Sequence, residues 1–331
     1  MRRLLPLALI SSVLVFTSVA SASGVTVNLV AFSAPKPIVQ TLIPNFQNTA
    51  NGNGVSFAQS YGPSSSQAQA IIAGQPASIA FLSNALDINS LVNANLVVKN
   101  WTKKFPQGGM VANSVVAFAV RPGNPKGIHT WADLTKPGVQ VITPDPFPSG
   151  GAKWNVLAIY GAQRTKGKTD SQATKFVKSV FTHVISQPSS ASASMAAFLA
   201  GQGDVLLTYE SEAYAAQLAG KPLQVVVPKP TMLIQLPMVP IIGAPVEATQ
   251  FINYAHTAGA QKQFVRGGYR PVVSSVLNDP SLADWKAKFA TGKTFLVTST
   301  LFGGWPKAYN TWFSPTGRMV KIEQAIGGPT S

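Results

Sequence analysis

Short apolar runs of strand length alternate along the chain with segments whose apolar residues have helical spacing. Early in the chain, the runs at 25–30, 55–59 and 78–82 predict strands, and the segments at 38–46 and 67–73 predict helices. Strands that alternate with helices indicate parallel α/β layers. The predicted fold class is therefore α/β.

A turn-rich break follows the next apolar run. Residues 114–120 predict a strand, and residues 121–127 (RPGNPKG) then combine two prolines with two glycines, which interrupts regular structure. We interpret this break as a crossing into a second lobe. Further predicted strands lie at 139–143, 204–209, 223–228 and 238–242, and further predicted helices follow Gly151 and lie at 173–181 and 246–264.

These elements divide the chain into a leader and two lobes. Met1–Arg3, the apolar run at 4–16 and the small residues Ala20–Ala22 have the pattern of a secretory signal, with cleavage expected after Ala22. The apolar run is too short for a transmembrane span. We predict a signal peptide at 1–22, lobe I at 23–113, lobe II at 114–235 with a hinge crossing at each end, and a return to lobe I with a C-terminal segment at 236–331.

The charge composition is unusual. Charged residues make up 11% of the sequence, with 26 Lys and Arg against 11 Asp and Glu. Loss of Arg2 and Arg3 with the signal lowers the formal charge from +15 to +13. The remaining cations are scattered, with no run longer than Lys103–Lys104, so we expect no nucleic-acid partner. A chain with few carboxylates loses little stability in acid. We therefore hypothesise an acidic outer compartment, with compositional drift as the alternative.

Four turns place a hydroxyl group and small residues directly before a predicted helix. Small residues let the backbone approach a ligand closely, and a helix N-terminus offers N–H groups with partial positive charge. Ordinary helix caps have the same appearance. Two turns fall in each lobe, so an interlobe cleft would collect them around one anion. They are residues 32–37, with Ser33; residues 61–66, with Ser64; Ser149–Gly150–Gly151; and residues 189–192, with Ala191.

The chemistry of these turns favours a fully ionised anion. A tetrahedral dianion such as sulfate only accepts hydrogen bonds, so its best site contains donors alone. A carboxylate would require a proton on the ligand and would favour phosphate, and none of the four turns has one at its tip. We predict sulfate or a close relative. Molybdate, phosphate and sulfonate remain the alternatives.

Six blocks in order along the chain resemble the periplasmic sulfate/thiosulfate-binding proteins of ATP-driven importers. The resemblance implies a type II periplasmic binding protein with two lobes, each a mixed sheet with flanking helices. It also implies capture of desolvated sulfate, or thiosulfate, in the interlobe cleft by hinge closure, and delivery to the permease and ATPase subunits of a membrane importer. The blocks are 60–67 (SYGPSSSQ), 121–127 (RPGNPKG), 141–155 (VITPDPFPSGGAKWN), 203–213 (GDVLLTYESEA), 269–271 (YRP) and 302–305 (FGGW).

Carried over residue by residue, the resemblance places the ligand contacts on these same turns. They are the hydroxyl of Ser64, Ser149, and the N–H groups of Ser33, Gly150, Gly151 and Ala191, with the phenol of Tyr209 where the family has a Trp indole.

Three further positions depart from the family pattern. Ser33 stands where the family usually has Asp, and Pro63–Ser64–Ser65 stands where it has Gly-Ser-Gly. Ser192 replaces an Arg. The altered loop and Tyr209 are the positions where affinity or selectivity is expected to differ.

An enzyme is the rival class, and an adhesive or structural exported protein is a third. The sequence has no Gly-x-Ser-x-Gly elbow and no Walker-type loop, and His129, His183 and His256 are far apart. Glu210 and Glu212 flank Ser211, and we interpret them as surface or hinge charges. We expect a monomeric binding protein with no catalytic residue, metal or cofactor.

Overall fold

The computed structural model describes residues 24–289 and 292–330, so the predicted signal peptide lies outside the described residues. The strands in this part of the chain are β1 (Thr26–Phe32), β2 (Ser56–Gly62), β3 (Ile79–Phe81), β4 (Met110–Val120), β5 (Val141–Ile142), β6 (Val184–Ser186), β7 (Val205–Tyr209), β8 (Gln224–Val226), β9 (Thr231–Pro240) and β10 (Thr294–Phe295).

Helices separate most of these strands. They are α1 (Lys36–Gln47), α2 (Ser64–Ile72), α3 (Ala85–Asn93), α4 (Trp101–Lys104), α5 (Gly150–Thr165), α6 (Asp170–Phe181), α7 (Ala191–Leu199), α8 (Glu210–Leu218), α9 (Val246–Ala255), α10 (Ala258–Arg266), α11 (Ala283–Lys288), α12 (Gly304–Trp312) and α13 (Arg318–Ile326). None of the helices in the described ranges has the length and apolarity needed to cross a bilayer.

One mixed sheet runs through the molecule in the order β2-β1-β3-β9-β4-β7-β5-β6, with β10 added beside β9 and β8 beside β4. β1 is parallel to β2 and β3 at one end, and β5 is parallel to β6 and β7 at the other. β4 and β9 run antiparallel to each other and to β7 and β3, respectively. The predicted α/β class, with helices flanking mixed sheets, is confirmed.

The two long strands β4 and β9 join the halves of the sheet. β4 pairs with β9 up to Val115 and with β7 from Val116 onward. β9 likewise pairs with β4 up to Pro237 and with β3 from Met238. A strand that changes partner in mid-course belongs to both halves, so the two halves of the sheet share this pair of strands.

The predicted lobe boundaries fall inside these strands. Asn113 lies opposite Gln235 in the β4–β9 pairing, and these are the last residues before the two predicted crossings. The turn at 121–127 comes after the change of partner. In the described residues we call 24–113 and 236–289 lobe I, 114–235 lobe II and 292–330 the C-terminal segment; the lobe boundaries at 113/114 and 235/236 remain a prediction.

The C-terminal segment packs mainly on lobe II. The rings of Trp305 and Trp154 meet edge to face at 4.6 Å, and Arg318 contacts Asp170 at 2.8 Å. α12 also contacts α3 of lobe I. The aromatic side chains of this segment need an apolar surface, and α5, which is buried along most of its length, provides it.

Several predicted elements differ from the observed ones in their extent. The predicted helix at 246–264 is two helices, because Thr257 caps a new helix by accepting from the Ala260 N–H. The predicted strand at 139–143 has ladder pairing only at Val141–Ile142. β9 begins at Thr231, whereas the predicted strand began at residue 238. The prediction started late because Gln235 interrupts the apolar run of this strand.

Candidate anion-binding site

A small cavity between the lobes brings together all seven residues predicted for the site. The space within it that the centre of a water-sized sphere can occupy is about 10 Å³. The lining residues are Phe32, Ser33, Gly62, Pro63, Ser64, Ser149, Gly150, Gly151, Ser190, Ala191 and Tyr209. These residues come from the turns before α1, α2, α5 and α7 and from the end of β7. The convergence of the four turns is thus a property of the fold; their contact with a ligand remains a prediction.

Helix starts supply the donors of this cavity. The first N–H groups of a helix have no partner inside the helix, and the N-terminus carries partial positive charge. α2 begins at Ser64, α5 at Gly150 and α7 at Ala191. The turn at Ser33 precedes α1, and the Ser33 carbonyl accepts from the Lys36 N–H at 3.3 Å. The arrangement can neutralise a buried anion with oriented dipoles.

The turn before α5 keeps a hydroxyl hydrogen available. Ser149 is the N-cap, and its Oγ accepts from the Ala152 N–H at 3.3 Å. Because a hydroxyl both accepts and donates, this bond leaves the Ser149 hydrogen free for a ligand. The helix begins at Gly150, within the Ser-Gly-Gly turn, whereas the sequence prediction placed its first turn after Gly151. Both glycines therefore present first-turn N–H groups.

The absence of side chains at these glycines allows close packing, across the cleft at Gly150 and within lobe II at Gly151. A Cβ atom on Gly150 would lie 2.6 Å from the Ser83 Cβ and 2.7 Å from the Asn84 Nδ2, both in lobe I. A Cβ on Gly151 would lie 3.0 Å from the Tyr209 ring. Neither glycine has a positive φ, so the requirement is for space rather than for an unusual backbone conformation.

The turn before α2 uses its hydroxyl differently. Ser64 Oγ donates to Asp87 Oδ2 at 2.6 Å and accepts from the Ser83 N–H at 2.9 Å. Ser65 Oγ donates to the other oxygen of Asp87 at 2.7 Å. The expectation that the Ser64 hydroxyl donates to the anion disagrees with this arrangement, because its one hydrogen is already engaged. The remaining donor is the backbone N–H of Ser64. Because Pro63 is the N-cap, Ser64 is the first residue of α2, and its N–H has no partner inside the helix.

The turn before α7 has the geometry of a capped helix. Ser190 is its N-cap, and its Oγ accepts from the Ala193 N–H at 3.1 Å. Ala191 is the first helical residue and is 5% exposed. Its N–H group belongs to the first turn and lies at the cavity wall. The small Ala191 side chain leaves this backbone group accessible from the cavity.

Tyr209 closes the cavity from lobe II. Its ring is 1% exposed, and its Oη lies 2.8 Å from Ser83 Oγ across the cleft. Burial raises the pKa of Tyr209 well above its usual value, with smaller effects from Ser83 and from surrounding acidic groups. The phenol therefore keeps its hydrogen at all ordinary pH values. It donates either to Ser83 or to a ligand.

Hydrogen bonds between the lobes hold the cleft shut around the cavity. The Trp154 indole N–H donates to the Ser83 carbonyl at 2.9 Å, and the Ser65 N–H donates to the Pro148 carbonyl at 3.1 Å. Lys153 Nζ, on lobe II, donates to Ser65 Oγ at 2.9 Å. These bonds connect the two predicted lobes beside the cavity.

Lys153, Ser83 and Asp87 were not singled out by sequence reasoning. Lys153 is only 3% exposed, and burial lowers its pKa although Asp87 and Asp145 act to raise it. A helix-cap pattern in the sequence could have indicated Asp87. It is the third residue of α3 after the N-cap Asn84, and its N–H donates to the Asn84 side chain. Ser83 precedes this cap and had no signal of its own.

Glu210 and Glu212 are buried rather than exposed, which corrects their interpretation as surface charges. They lie in the first turn of α8, with 0% and 6% exposure. Glu210 binds Arg270 with two bonds of 2.6 and 2.9 Å. Glu212 accepts from Ser192 Oγ at 2.9 Å and from Thr208 Oγ1 at 2.6 Å. Burial raises the pKa of both carboxyl groups.

The histidines take no part in this cavity. His183 and His256 bond to backbone carbonyls in separate places, and His129 lies near Asn124. In the two described ranges, no three His, Cys, Asp or Glu side chains form a group that could hold a metal ion.

The chain is similar to known solute-binding proteins along most of its length. The sequence profile of the family described as bacterial extracellular solute-binding protein matches residues 27–270. A sulfate-binding protein of Synechococcus elongatus is 35% identical over 93% of this chain and 89% of its own length. A thiosulfate-binding protein of Pseudomonas aeruginosa is 29% identical over 97% of this chain and 99% of its own length.

The same relationship appears among solved structures. The sulfate-binding protein SubI from Mycobacterium tuberculosis superposes with a TM-score of 0.81 at 37% identity, covering 88% of this chain and all of that one. The PEB3 protein of Campylobacter jejuni superposes with a TM-score of 0.56 at 16% identity, covering 74% of this chain and 99% of that one, and thus shares the fold alone. The family profile, the relatives and the fold agree, and the chain belongs to the bacterial extracellular solute-binding protein family.

Proposed function

We propose that this protein captures sulfate, and also thiosulfate, outside the cytoplasm and delivers it to a membrane importer. The observation that carries the proposal is the convergence of turns from both lobes on a cavity whose eleven lining residues include no carboxylate, ammonium or guanidinium group. Such a site offers donors and no strong acceptor, which fits an anion without a hydrogen of its own. The names of the relatives support the same ligand.

The proposed contacts are the N–H groups of Ser33, Ser64, Gly150, Gly151 and Ala191 and the hydroxyls of Ser149 and Tyr209. Hinge movement about β4 and β9 would admit the anion and then close the interlobe hydrogen bonds around it. The protein acts by binding, without catalysis, since its relatives are named as binding proteins.

Location and partners are proposed on the same basis. The family is extracellular by description, and we propose export to the periplasm by the signal at 1–22. A monomer would pass sulfate to the permease and ATPase subunits of an ATP-driven importer. An acidic surrounding remains a hypothesis that rests on the small number of carboxylates.

Calorimetric titration of the mature chain with sulfate, thiosulfate, phosphate and molybdate tests the proposal. We expect one sulfate or thiosulfate per chain and binding of phosphate and molybdate at least roughly 100-fold weaker, a difference of about 2.7 kcal/mol. Sulfate at 100 times its Kd should also stabilise the fold by about 2.7 kcal/mol. Saturation by phosphate or molybdate without a response to sulfate would assign the site to that other oxyanion.

A further inference from the structure

One hydroxyl group beside the cavity joins two buried charges that come from different lobes. Ser65 Oγ accepts from Lys153 Nζ of lobe II at 2.9 Å and donates to Asp87 Oδ1 of lobe I at 2.7 Å. Lys153 and Asp87 are each 3% exposed. Among the ion pairs within residues 24–289 and 292–330, none includes either group. The two charges are therefore connected through the hydroxyl rather than by direct contact.

The ammonium group of Lys153 lies in an unfavourable place within its own lobe. Lys153 is the fourth residue of α5, in the first turn, where the helix dipole disfavours a positive charge. Burial lowers the pKa of Lys153, against the attraction of Asp87 and Asp145. Nζ donates to the Phe147 carbonyl of lobe II at 2.6 Å. Its other hydrogen-bond partner, Ser65, belongs to lobe I, so the buried cation depends on contact between the lobes.

The carboxylate of Asp87 does not depend on lobe II in this way. Its Oδ2 accepts from Ser64 Oγ at 2.6 Å and from Asn84 Nδ2 at 3.1 Å, and its Oδ1 accepts from Ser65 Oγ. All three donors belong to lobe I and would stay in place if the lobes separated. Separation would therefore break the bond from Lys153 to Ser65 and leave the bonds to Asp87 intact.

Ser65 also contacts lobe II with its backbone, since its N–H donates to the Pro148 carbonyl at 3.1 Å. Ser65 directly follows Ser64, and Pro148 directly precedes Ser149, so these contacts lie one residue behind proposed ligand contacts on both lobes. Neither Ser65 nor Lys153 is among the residues that line the cavity. Groups that join the lobes without contacting the ligand act on the equilibrium between open and closed arrangements.

We propose that Ser65, Lys153 and Asp87 form an interlobe latch that holds the lobes together around the bound anion and slows its release. Ser65 is the central residue of the latch, because its hydroxyl is the group that both charges share. It stands where the family pattern has glycine, which has no hydroxyl, so this bridge is a property of the present chain. The three residues are positioning residues, and the inference rests on the proposed function, because it requires the lobes to open and close.

The effect of losing the Ser65 hydroxyl has a defined direction. Ser65→Ala leaves the buried ammonium of Lys153 with one partner fewer when the lobes are in contact, whereas water supplies a partner when they are apart. The closed arrangement is thus destabilised relative to the open one. We expect the dissociation rate constant to rise roughly tenfold, for sulfate and thiosulfate alike. The anion enters before the lobes close, so the association rate constant should stay within about twofold.

Stopped-flow tryptophan fluorescence with sulfate and with thiosulfate measures both rate constants on the mature chain. Ser66→Ala removes an exposed hydroxyl from the same helix and should keep the wild-type rates. Ser65→Ala is then repeated in a Lys153→Met background, where the stem of the side chain remains and the cation is absent. In that background the loss of the hydroxyl should change the dissociation rate by less than about twofold, because the two residues are coupled.

An unchanged dissociation rate in Ser65→Ala would overturn the latch, and so would an equal increase with and without the Lys153 cation. Slower association with unchanged release would also overturn it. Ser65 is only half-buried, so the result for Ser65→Ala decides the question even if Lys153→Met fails to fold. Calorimetric titration separates the two proposals: no binding of sulfate or thiosulfate defeats the proposed function, whereas binding with equal release rates in the wild type and Ser65→Ala defeats only the latch.

Discussion

The turn before α2 and the turn before α5 have the same sequence pattern and face each other across the cleft, yet their serines act in opposite directions. Ser64 donates its hydrogen to Asp87, whereas Ser149 accepts from its own helix and keeps its hydrogen. The Ser64 hydroxyl is thus bonded within its own lobe. The turn of lobe II presents its hydroxyl to the cavity.

The comparison shows that a hydroxyl at a helix start has no fixed role. What decides the role is the group opposite it: a carboxylate for Ser64, and a backbone N–H for Ser149. The two turns also differ in spacing. A Cβ on Gly150 would collide with Ser83 and Asn84, while a Cβ on Gly62 would meet only the Gln67 side chain, at an ordinary contact distance of 3.4 Å.

Among substitutions in the two turns, Gly150→Ala should have the largest effect on sulfate affinity. Its Cβ would push against Ser83 and Asn84 and hold the lobes apart. Overpacking of this kind costs about 1–3 kcal/mol, so we expect sulfate affinity to fall roughly 10- to 100-fold in calorimetric titration. Gly62→Ala is the matched control in the other turn and should bind normally. Equal losses in the two variants would remove the distinction between the turns.

Ser64→Ala should lower stability more than affinity. It leaves the Asp87 carboxylate and the Ser83 N–H each without one partner, which costs about 1–3 kcal/mol in the free energy of unfolding. Urea unfolding measures this loss, and the exposed Ser66→Ala on the same helix is the control. If Ser64→Ala is as stable as the wild type but binds sulfate poorly, the hydroxyl faces the ligand after all.

Ser149→Ala should lower sulfate affinity more than stability. It removes the proposed donor, and we expect sulfate affinity to fall about tenfold, or about 1.4 kcal/mol. Loss of the cap also lowers stability by about 1 kcal/mol. Thr169→Ala removes the same kind of cap from α6 and should lower stability without changing affinity. An affinity equal to that of the wild type would show that Ser149 is only a cap.

The smallest predicted effect is on stability, and it concerns Glu323, which is hydrogen-bonded to the segment before the turn at 189–192. Gln187, three residues before Ser190, donates to Glu323, and burial raises the pKa of Glu323 to about 7 from 4.5, opposed by that bond. The folded pKa is the higher one, so the contribution to stability is complete below pH 4.5 and is lost as the pH rises through 7.

Urea unfolding at pH 6 and pH 7 measures this contribution. The wild type should lose about 1 kcal/mol over that interval through this group. Glu323→Gln should lose less, and Glu247→Gln, on α9, should behave like the wild type. Identical losses in all three proteins would exclude Glu323 as the source.

The sequence predicted most of the local structure of the site and little of its cross-lobe structure. The helix starts near Ser64, Gly150 and Ala191 depend on hydroxyls, glycines and prolines close in sequence, so a local pattern finds these starts to within about three residues. The α/β class followed from alternation in the same way. The partners Ser83 and Asp87 lie 19 and 23 residues from Ser64, and only the folded chain brings them there.

The packing of the C-terminal segment was missed for a related reason. Aromatic spacing in α12 predicts a buried face, but it does not identify the surface that covers it. Trp305 is covered by Trp154 of lobe II, whereas the chain order favoured lobe I. The burial of Glu212 was not predicted either. A glutamate side chain is expected on the surface unless a specific set of hydroxyl groups surrounds it, as Ser192 and Thr208 do here.

The bond between Trp154 and the Ser83 carbonyl gives the protein an optical property. The indole N–H belongs to lobe II and its acceptor to lobe I, at 2.9 Å, with the ring 1% exposed. Opening of the cleft, if it accompanies release as proposed, would transfer that N–H from a fixed carbonyl to water, and indole emission moves to longer wavelength in a wetter environment. The chain therefore contains its own fluorophore for the occupied state, and no attached dye is needed. Replacing Trp154 by Phe would separate the emission of Trp154 from that of the other five tryptophans.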